Sequence, residues 1–344
     1  MENLKSGTFL SHSIKIISIF FLFIFTVGIL HAQNYQTTKA QKGEGIYSLL
    51  KRHGLSPGDY LNDFIQLNKD KLGKDNSLYA GMTYKLPVEP KTSTQSTSTS
   101  AGIYPIFGKD YEKVALIDNS LQGAIYYLVS GHGGPDPGAM GHLSGHPLCE
   151  DEYAYDVTLR LARCLIEHGA LVYMITRDDN DGIRDNSFLK PDKDETCYPD
   201  LAIPRSQLKR LRERKDAVNK LYIQHKGSFQ RLVITHVDSR SKGENIDVFF
   251  YHDKRSKTGK KLANILHQTF KQKYDEYQPN RGYHGSVSVR NLYVLKYSYP
   301  PAVFMEIGNI NHYRDQQRLI RVNNRQALAN WICEGLMKDF KINK

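Results

Sequence analysis

From about Tyr104 to the C-terminus, short apolar runs alternate with longer amphipathic stretches, and this alternation constrains the fold more than any other feature of the chain. The runs Ile125–Val129, Leu171–Ile175, Leu232–Thr235, Asp247–Tyr251, Leu292–Leu295 and Ala302–Met305 read as strands. Between them, about Asp151 to His168 puts Ala154, Val157, Leu161, Cys164, Leu165 and His168 on one helical face. A C-terminal helix does the same with Leu328, Trp331, Ile332 and Phe340. Such alternation predicts an α/β fold, a three-layer arrangement with a mostly parallel sheet flanked by helices. Active sites of such sheets lie at the carboxyl ends of the strands. Polar residues that follow predicted strands are therefore the first place to look for chemistry.

The 344 residues suffice for two domains, and 40% hydrophobic with 24% charged residues is a globular composition. A net charge of +11 suggests an anionic partner, either nucleic acid or a carboxylate-rich wall polymer. No DNA- or RNA-binding motif occurs and the basic residues are scattered, so nucleic acid is not expected; a merely solubilising basic surface fits the same charge. The N-terminus indicates the compartment. Lys5 and Lys15 precede an apolar stretch, Ile16 to Leu30, broken only by Ser18, Thr26 and Gly28. Leu30-His31-Ala32 then offers a small residue for cleavage. Residues 1–32 thus read as a signal peptide, with the mature chain starting near Gln33 and export to the periplasm or cell envelope. The run is short for a spanning helix, which needs about 20 residues; uncleaved, it would be the one expected link to the membrane. No cysteine follows it to carry a lipid. The four cysteines, Cys149, Cys164, Cys197 and Cys333, match no disulfide framework or zinc ribbon, and Cys164 reads as a core residue.

Residues 35–87 read strand, helix, helix, strand. Lys42-Gly43-Glu44-Gly45 is a turn, Ile46, Leu49 and Leu50 recur at helical spacing, Gly54 ends that helix, and Ser56-Pro57 begins the next. With Leu67-Asn68 and Leu78-Tyr79-Ala80-Gly81-Met82-Thr83-Tyr84-Lys85-Leu86-Pro87, the segment resembles the lysin motif (LysM), a small βααβ module. The resemblance implies binding of N-acetylglucosamine-containing glycans. It departs from the family at Gly45-Ile46, where Asp-Thr-Leu is usual; a spacer without ligand is the alternative. Residues 88–103, rich in Ser, Thr and Gln, cannot bury enough apolar area to fold and read as a linker. A catalytic domain over 104–344 follows. Within it, the acidic stretch Asp178 to Pro204 interrupts the alternation and is expected to be a solvated excursion near the site mouth. Its spacing lacks the EF-hand order for calcium.

The sharpest local signal is Ser130-Gly131-His132-Gly133-Gly134-Pro135-Asp136-Pro137-Gly138-Ala139, directly after a predicted strand. The glycines let the backbone turn and leave His132 open to a ligand. No Gly-Lys-Ser/Thr follows, which argues against a phosphate loop. Glu150 stands just before the first clear helix, with Asp151 and Glu152 as rivals for the same role. His236 follows Leu232–Thr235, and Glu306 closes Ala302–Met305. Two histidines and a glutamate suit a catalytic Zn2+ with a fourth position left for water. A further carboxylate, Glu306, can act as general base. A single histidine after a strand is more often structural; four such residues at strand ends are a sharper pattern.

Residues of about 123 to 340 resemble the zinc-dependent N-acetylmuramoyl-L-alanine amidases of bacterial cell-wall hydrolysis. Val129-Ser130-Gly131-His132-Gly133-Gly134-Pro135-Asp136-Pro137-Gly138-Ala139 aligns with a family motif that begins Asp-Pro-Gly-His, and Ile234-Thr235-His236-Val237-Asp238 with its second histidine segment. Leu211, Arg214, Val218 and Asn219 match a helix motif, and Pro301-Ala302-Val303-Phe304-Met305-Glu306 the segment ending in the catalytic Glu. Counting back from Gly169, with Thr176-Arg177 beyond, selects Glu150 over Glu152. The resemblance implies zinc bound by His132, Glu150 and His236, Glu306 as the catalytic residue, and peptidoglycan as substrate. Asp136, Asp238, Arg177 and Asn219 become candidates for supporting the ligands or touching substrate. Val129-Ser130 replaces Asp-Pro, removing an expected supporting carboxylate for which Asp136 or Asp238 could substitute. Gly308-Asn309-Ile310-Asn311-His312 replaces the family's Gly-Phe-x-x-Asn and is expected to alter the cleft floor. A catalytically inactive wall-binding protein and a zinc peptidase acting on stem peptides are the competing functions; the latter lacks His-Glu-x-x-His.

Overall fold

Strand residues 124–130 are buried throughout, as expected where a sheet is covered on both faces. The computed structural model describes residues 35–55, 57–87, 102–239 and 243–344. The expected signal peptide, most of the expected linker and the expected cap Ser56 lie outside the described residues. Residues 35–344 form one compact unit. Among the described residues, no helix is long and apolar enough to cross a membrane.

The N-terminal part runs β1 (Thr37–Lys39), α1 (Ile46–Arg52), α2 (Pro57–Leu67) and β2 (Thr83–Lys85), with β1 and β2 antiparallel. Leu49, Leu50, Phe64 and Tyr84 form its small core. Buried Asn68 donates to the carbonyls of Phe64 and Lys85 and accepts from Lys85 N, tying the end of α2 to β2. Gly102 and Ile103, the end of the expected linker, form β3 (Gly102–Ile103) against β4 (Lys113–Val114).

The chain continues through β5 (Ala124–Ser130), the hairpin β6 (Met140–Leu143) and β7 (His146–Cys149), α3 (Glu150–Glu167) and β8 (Leu171–Met174). A small sheet of β9 (Thr176–Arg177), β10 (Thr196–Cys197) and β11 (Leu201–Ala202) precedes α4 (Gln207–Gln224). Then come β12 (Phe229–Asp238), β13 (Phe249–His252), α5 (Lys257–Tyr277), β14 (Ser286–Val289) and α6 (Tyr293–Tyr297). The chain ends with β15 (Ala302–Asn309), α7 (Tyr313–Ile320) and α8 (Val322–Asn343). The central sheet has the order β14-β13-β15-β12-β5-β8. It is parallel except at β13–β15.

Successive strand residues point to opposite faces, and the two faces have separate cores. Tyr126, Leu128, Val233, Val303 and Met305 pack with residues of α3, α5 and α8. Ile125, Tyr127, Val129, Leu232, Ile234 and Phe304 pack with Val218 and Leu221 of α4 and Val294 and Leu295 of α6. This is the three-layer α/β arrangement.

Three expectations need correction. Leu292–Leu295 is not a strand: Leu292 caps α6, and Lys296 N donates to Leu292 O at 2.9 Å. Its β-favouring side chains have no strand to pair with, since β14 already forms that edge, and β propensity yields to context. β12 and β15 run past their expected ends, so His236 and Glu306 lie within strands. The 178–204 stretch is a solvated excursion only in part, its exposed positions alternating with packed ones. Asp178, Ile183, Leu189, Glu195 and Cys197 are buried, and Phe188 stacks on His146 with ring centroids 4.0 Å apart. Asp185 is met by Arg160 of α3 and Lys51 of α1, and Glu195 by the Gly134 amide, partners which local composition does not reveal.

Candidate active site

In the β12–β15 ladder His236 lies opposite Glu306, and in the β12–β5 ladder Thr235 lies opposite Ser130. Residues paired across adjacent strands share a face, so His236 and Glu306 project together. Gly131 N donates to Thr235 O at 2.8 Å, extending the ladder. His132 follows with φ 61°, a left-handed conformation uncommon outside glycine. That turn brings its imidazole back over the strand ends.

Glu150 opens α3 and is 4% exposed. Backbone amides fix both its oxygens: Ala139 N donates to Oε2 at 2.7 Å and Val237 N to Oε1 at 3.0 Å. Oε1 lies 2.8 Å from His236 Nδ1 and Oε2 lies 3.3 Å from His132 Nε2. One donor atom from each of His132, Glu150 and His236 lies within 4.8 Å of the others. The His236 ring stacks on Phe304, with centroids 4.4 Å apart. Two glycines make room. A Cβ on Gly131 would sit 2.3 Å from His236 Cε1, and one on Gly138 would sit 2.6 Å from Glu150 Oε2.

His132 Nδ1 is 2.9 Å from Asp136 Oδ2, which leaves Nε2 turned toward Glu150. Arg210 donates to Asp136, and Arg214, one turn on along α4, donates to the His132 carbonyl. Burial holds the His236 imidazole below the usual histidine range against the pull of Glu150, which favours the neutral ring. Burial also raises Glu150, but the hydrogen bond to His236, the neighbouring imidazoles and the Ala139 amide outweigh it and hold the carboxyl below its ordinary range. The hydrogen bond to His132 holds Asp136 down at about 2. The arrangement is thus two imidazoles facing one ionised carboxylate. It opens into a cleft of about 380 Å³ that Glu306, Asp238, Tyr251 and Arg290 also line.

Of the other sequence candidates, Asp136 meets His132 and Asp238 lines the cleft at the end of β12. Arg177 is not brought to the cleft: it donates to Pro199 O and Asp200 Oδ1, each at 3.0 Å, because the packed 178–204 stretch turns back on it. Asn219 is also not in the cleft lining. It braces α4 to the end of α6, donating to Tyr297 O at 3.0 Å and accepting from Tyr299 N at 2.8 Å. The 308–312 segment does not line the cleft either; Asn309 is fully buried and donates to Glu244 O. The rivals Asp151 and Glu152 turn away from the imidazoles into a buried cluster with Glu195. Burial pushes Asp151 up to about 8 and Glu152 up to about 7. Sequence reasoning missed Arg210, Phe304 and Glu195, whose Oε2 accepts from Gly134 N at 2.6 Å. The four-residue spacing of Arg210 and Arg214 was the available signal for the first.

Residues 127–338 match the family model for N-acetylmuramoyl-L-alanine amidases. The probable cell wall amidase LytH of Staphylococcus aureus is 28% identical over 218 residues, 63% of this chain and 59% of that protein. The chain therefore spans about three fifths of the length of the curated relatives it matches. Among solved structures, the N-acetylmuramoyl-L-alanine amidase AmiC2 of Nostoc punctiforme aligns at 20% identity with a TM-score of 0.45, covering 64% of this chain and 98% of that one. Ami1 of Mycobacterium smegmatis aligns at 16% identity with a TM-score of 0.48, covering 65% and 99% respectively.

Proposed function

The chain belongs to the N-acetylmuramoyl-L-alanine amidase family, and from that premise we propose that it is a zinc-dependent peptidoglycan hydrolase. Its substrate bond is the amide joining N-acetylmuramic acid to the L-alanine of the stem peptide. The observation that carries this reading is the meeting of His132, Glu150 and His236 beside Glu306 in one cleft. Their chemistry fits zinc. Two imidazoles and a carboxylate with donor atoms within 4.8 Å approach the ~4 Å that two bonds of ~2 Å span.

His132, Glu150 and His236 would hold the ion. Zn2+ bound there supplies a Lewis acid that acidifies water and polarises the scissile carbonyl. Asp136 fixes the His132 ring by accepting from Nδ1, the task of a carboxylate behind a ligating imidazole. Burial keeps His236 in the neutral form that binds metal. Glu306, on the neighbouring strand, accepts the proton of the attacking water. The new carbon–oxygen bond forms in that attack, and Glu306 then returns the proton to the departing amine as the carbon–nitrogen bond breaks. Arg290, with its guanidinium over the Tyr251 ring at 4.8 Å, lines the same cleft and suits the carboxylates of a stem peptide. The LysM-like residues 35–87 would bind glycan strands, and export by residues 1–32 would bring the enzyme to the wall.

Digestion of purified sacculi tests the reading. The expected product is a free stem peptide with L-alanine at its amino end, identified by mass spectrometry. A shortened stem peptide would mean a peptidase, and no product from zinc-loaded protein would mean a wall-binding protein. Glu306→Gln should keep zinc and lose turnover, whereas His132→Ala should lose the metal. Wild-type release by Glu306→Gln would remove Glu306 from its role.

A further inference from the structure

Toward the other end of α3 from Glu150, sulfur and nitrogen donors gather in a second place. Cys164 and His168 are one helical turn apart, and Cys333 approaches them from α8. A donor atom from each lies within 4.8 Å of the others. His168 Nδ1 is 2.9 Å from Asp118 Oδ2, which leaves Nε2 for the sulfurs. A carboxylate behind the far nitrogen is the usual partner of a metal-bound imidazole. His168 also closes α3, where the last carbonyls favour positive charge. None of the three lines the cleft, and along the helix Cys164 is about 21 Å from Glu150 at ~1.5 Å per residue.

We propose that Cys164, His168 and Cys333 form a structural binding site for a soft divalent metal of the zinc class, which clamps α3 to α8. The donors decide the class: two thiolates and an imidazole favour zinc over calcium or magnesium, which take oxygen. The spacing agrees, since two metal–sulfur bonds of ~2.3 Å span at most ~4.6 Å. Cys333 is 1% exposed and anchors the site inside, while Cys164 and His168 are half-buried, so water can complete the coordination. On binding, both thiols release their protons to solvent. The ion would fasten the helix that carries Glu150 at a point remote from the cleft.

Cobalt(II) is the probe. Reduced full-length protein loaded with Co2+ should show thiolate-to-cobalt charge-transfer absorption in the near ultraviolet, which the His132, Glu150 and His236 cluster cannot produce. Cys164→Ser and Cys333→Ser should each abolish that band and lower the zinc content by a single equivalent per chain, while the cleft keeps its own ion. A wild-type spectrum without the band overturns the proposal without recourse to any variant. Unchanged zinc in Cys164→Ser/Cys333→Ser also overturns it, as does isolation of the protein with these two sulfurs joined as a disulfide, seen as the loss of both thiols to alkylation.

Discussion

Gly131 faces the His236 ring with no space between. A methyl group there would sit 2.3 Å from Cε1 and 2.4 Å from Nδ1, so Gly131→Ala must displace the imidazole. Zinc content and wall digestion should fall together in this variant, while its circular dichroism stays that of the wild type. Unchanged zinc affinity would show that the ring is not a ligand. Asp136 acts one bond further out, through His132 Nδ1. Asp136→Asn retains an acceptor but loses the charge shared with Arg210. Zinc affinity measured by competition with a chelator should weaken by about 10–100-fold. An equal affinity would mean that the Arg214 contact to the His132 carbonyl suffices to hold the loop.

At the scale of elements, α3, α8 and the 178–204 stretch are joined through one buried carboxylate. Asp156 Oδ2 accepts from Arg160 Nε at 2.8 Å and Arg325 Nε at 2.6 Å, and Oδ1 accepts from Arg184 N at 2.8 Å. All three side chains, Asp156, Arg160 and Arg325, are closed to solvent. Both guanidiniums also donate to the Arg184 carbonyl, which explains how an acidic segment comes to be packed. Removing one partner of a buried ion pair leaves the other charge uncompensated. Asp156→Asn should therefore destabilise the protein by roughly 3–5 kcal/mol in urea unfolding. A loss below about 1 kcal/mol would mean that water replaces the carboxylate. Burial pushes the Asp156 carboxyl up, but Arg160 and Arg325 hold it down at about 2. Its unfolded value is about 3.9. The folded pKa is the lower one, so this group's contribution is full above about pH 4 and is lost as pH falls toward 2. The stability difference between wild type and Asp156→Asn should shrink across that interval.

At the scale of the whole molecule, residues 35–87 dock on the α/β part. Asn323 Nδ2 donates to Ser48 Oγ at 2.9 Å, Lys51 Nζ pairs with Asp185 at 2.8 Å, and Tyr277 OH donates to Lys74 O at 3.0 Å. A Cβ on Gly45 would sit 2.8 Å from Asn323 Cγ. Thermal unfolding of the described unit should be a single transition by calorimetry, and Gly45→Val should lower its midpoint. Two well-separated transitions in the wild type would show that the docking contributes little. The layers and most strands were legible in the sequence, because strand and helix periodicities are local properties of neighbouring residues. The glycine-rich loop with His132, and likewise His236 and Glu306, were legible for the same reason: each follows or ends a recognisable apolar run. Residue patterning left Glu150, Asp151 and Glu152 as rivals; the family resemblance selected Glu150, and the tertiary structure is what brings it, and neither neighbour, to the imidazoles. It also reversed β13 relative to β15, made Leu292–Leu295 the start of a helix, and packed part of the acidic stretch, burying Asp178 and Glu195. These outcomes rest on pairs such as Glu150 with His236, 86 residues apart, and Asp156 with Arg325, 169 residues apart. No local pattern encodes such partners, because burial and charge compensation are settled only when distant elements close around the same space.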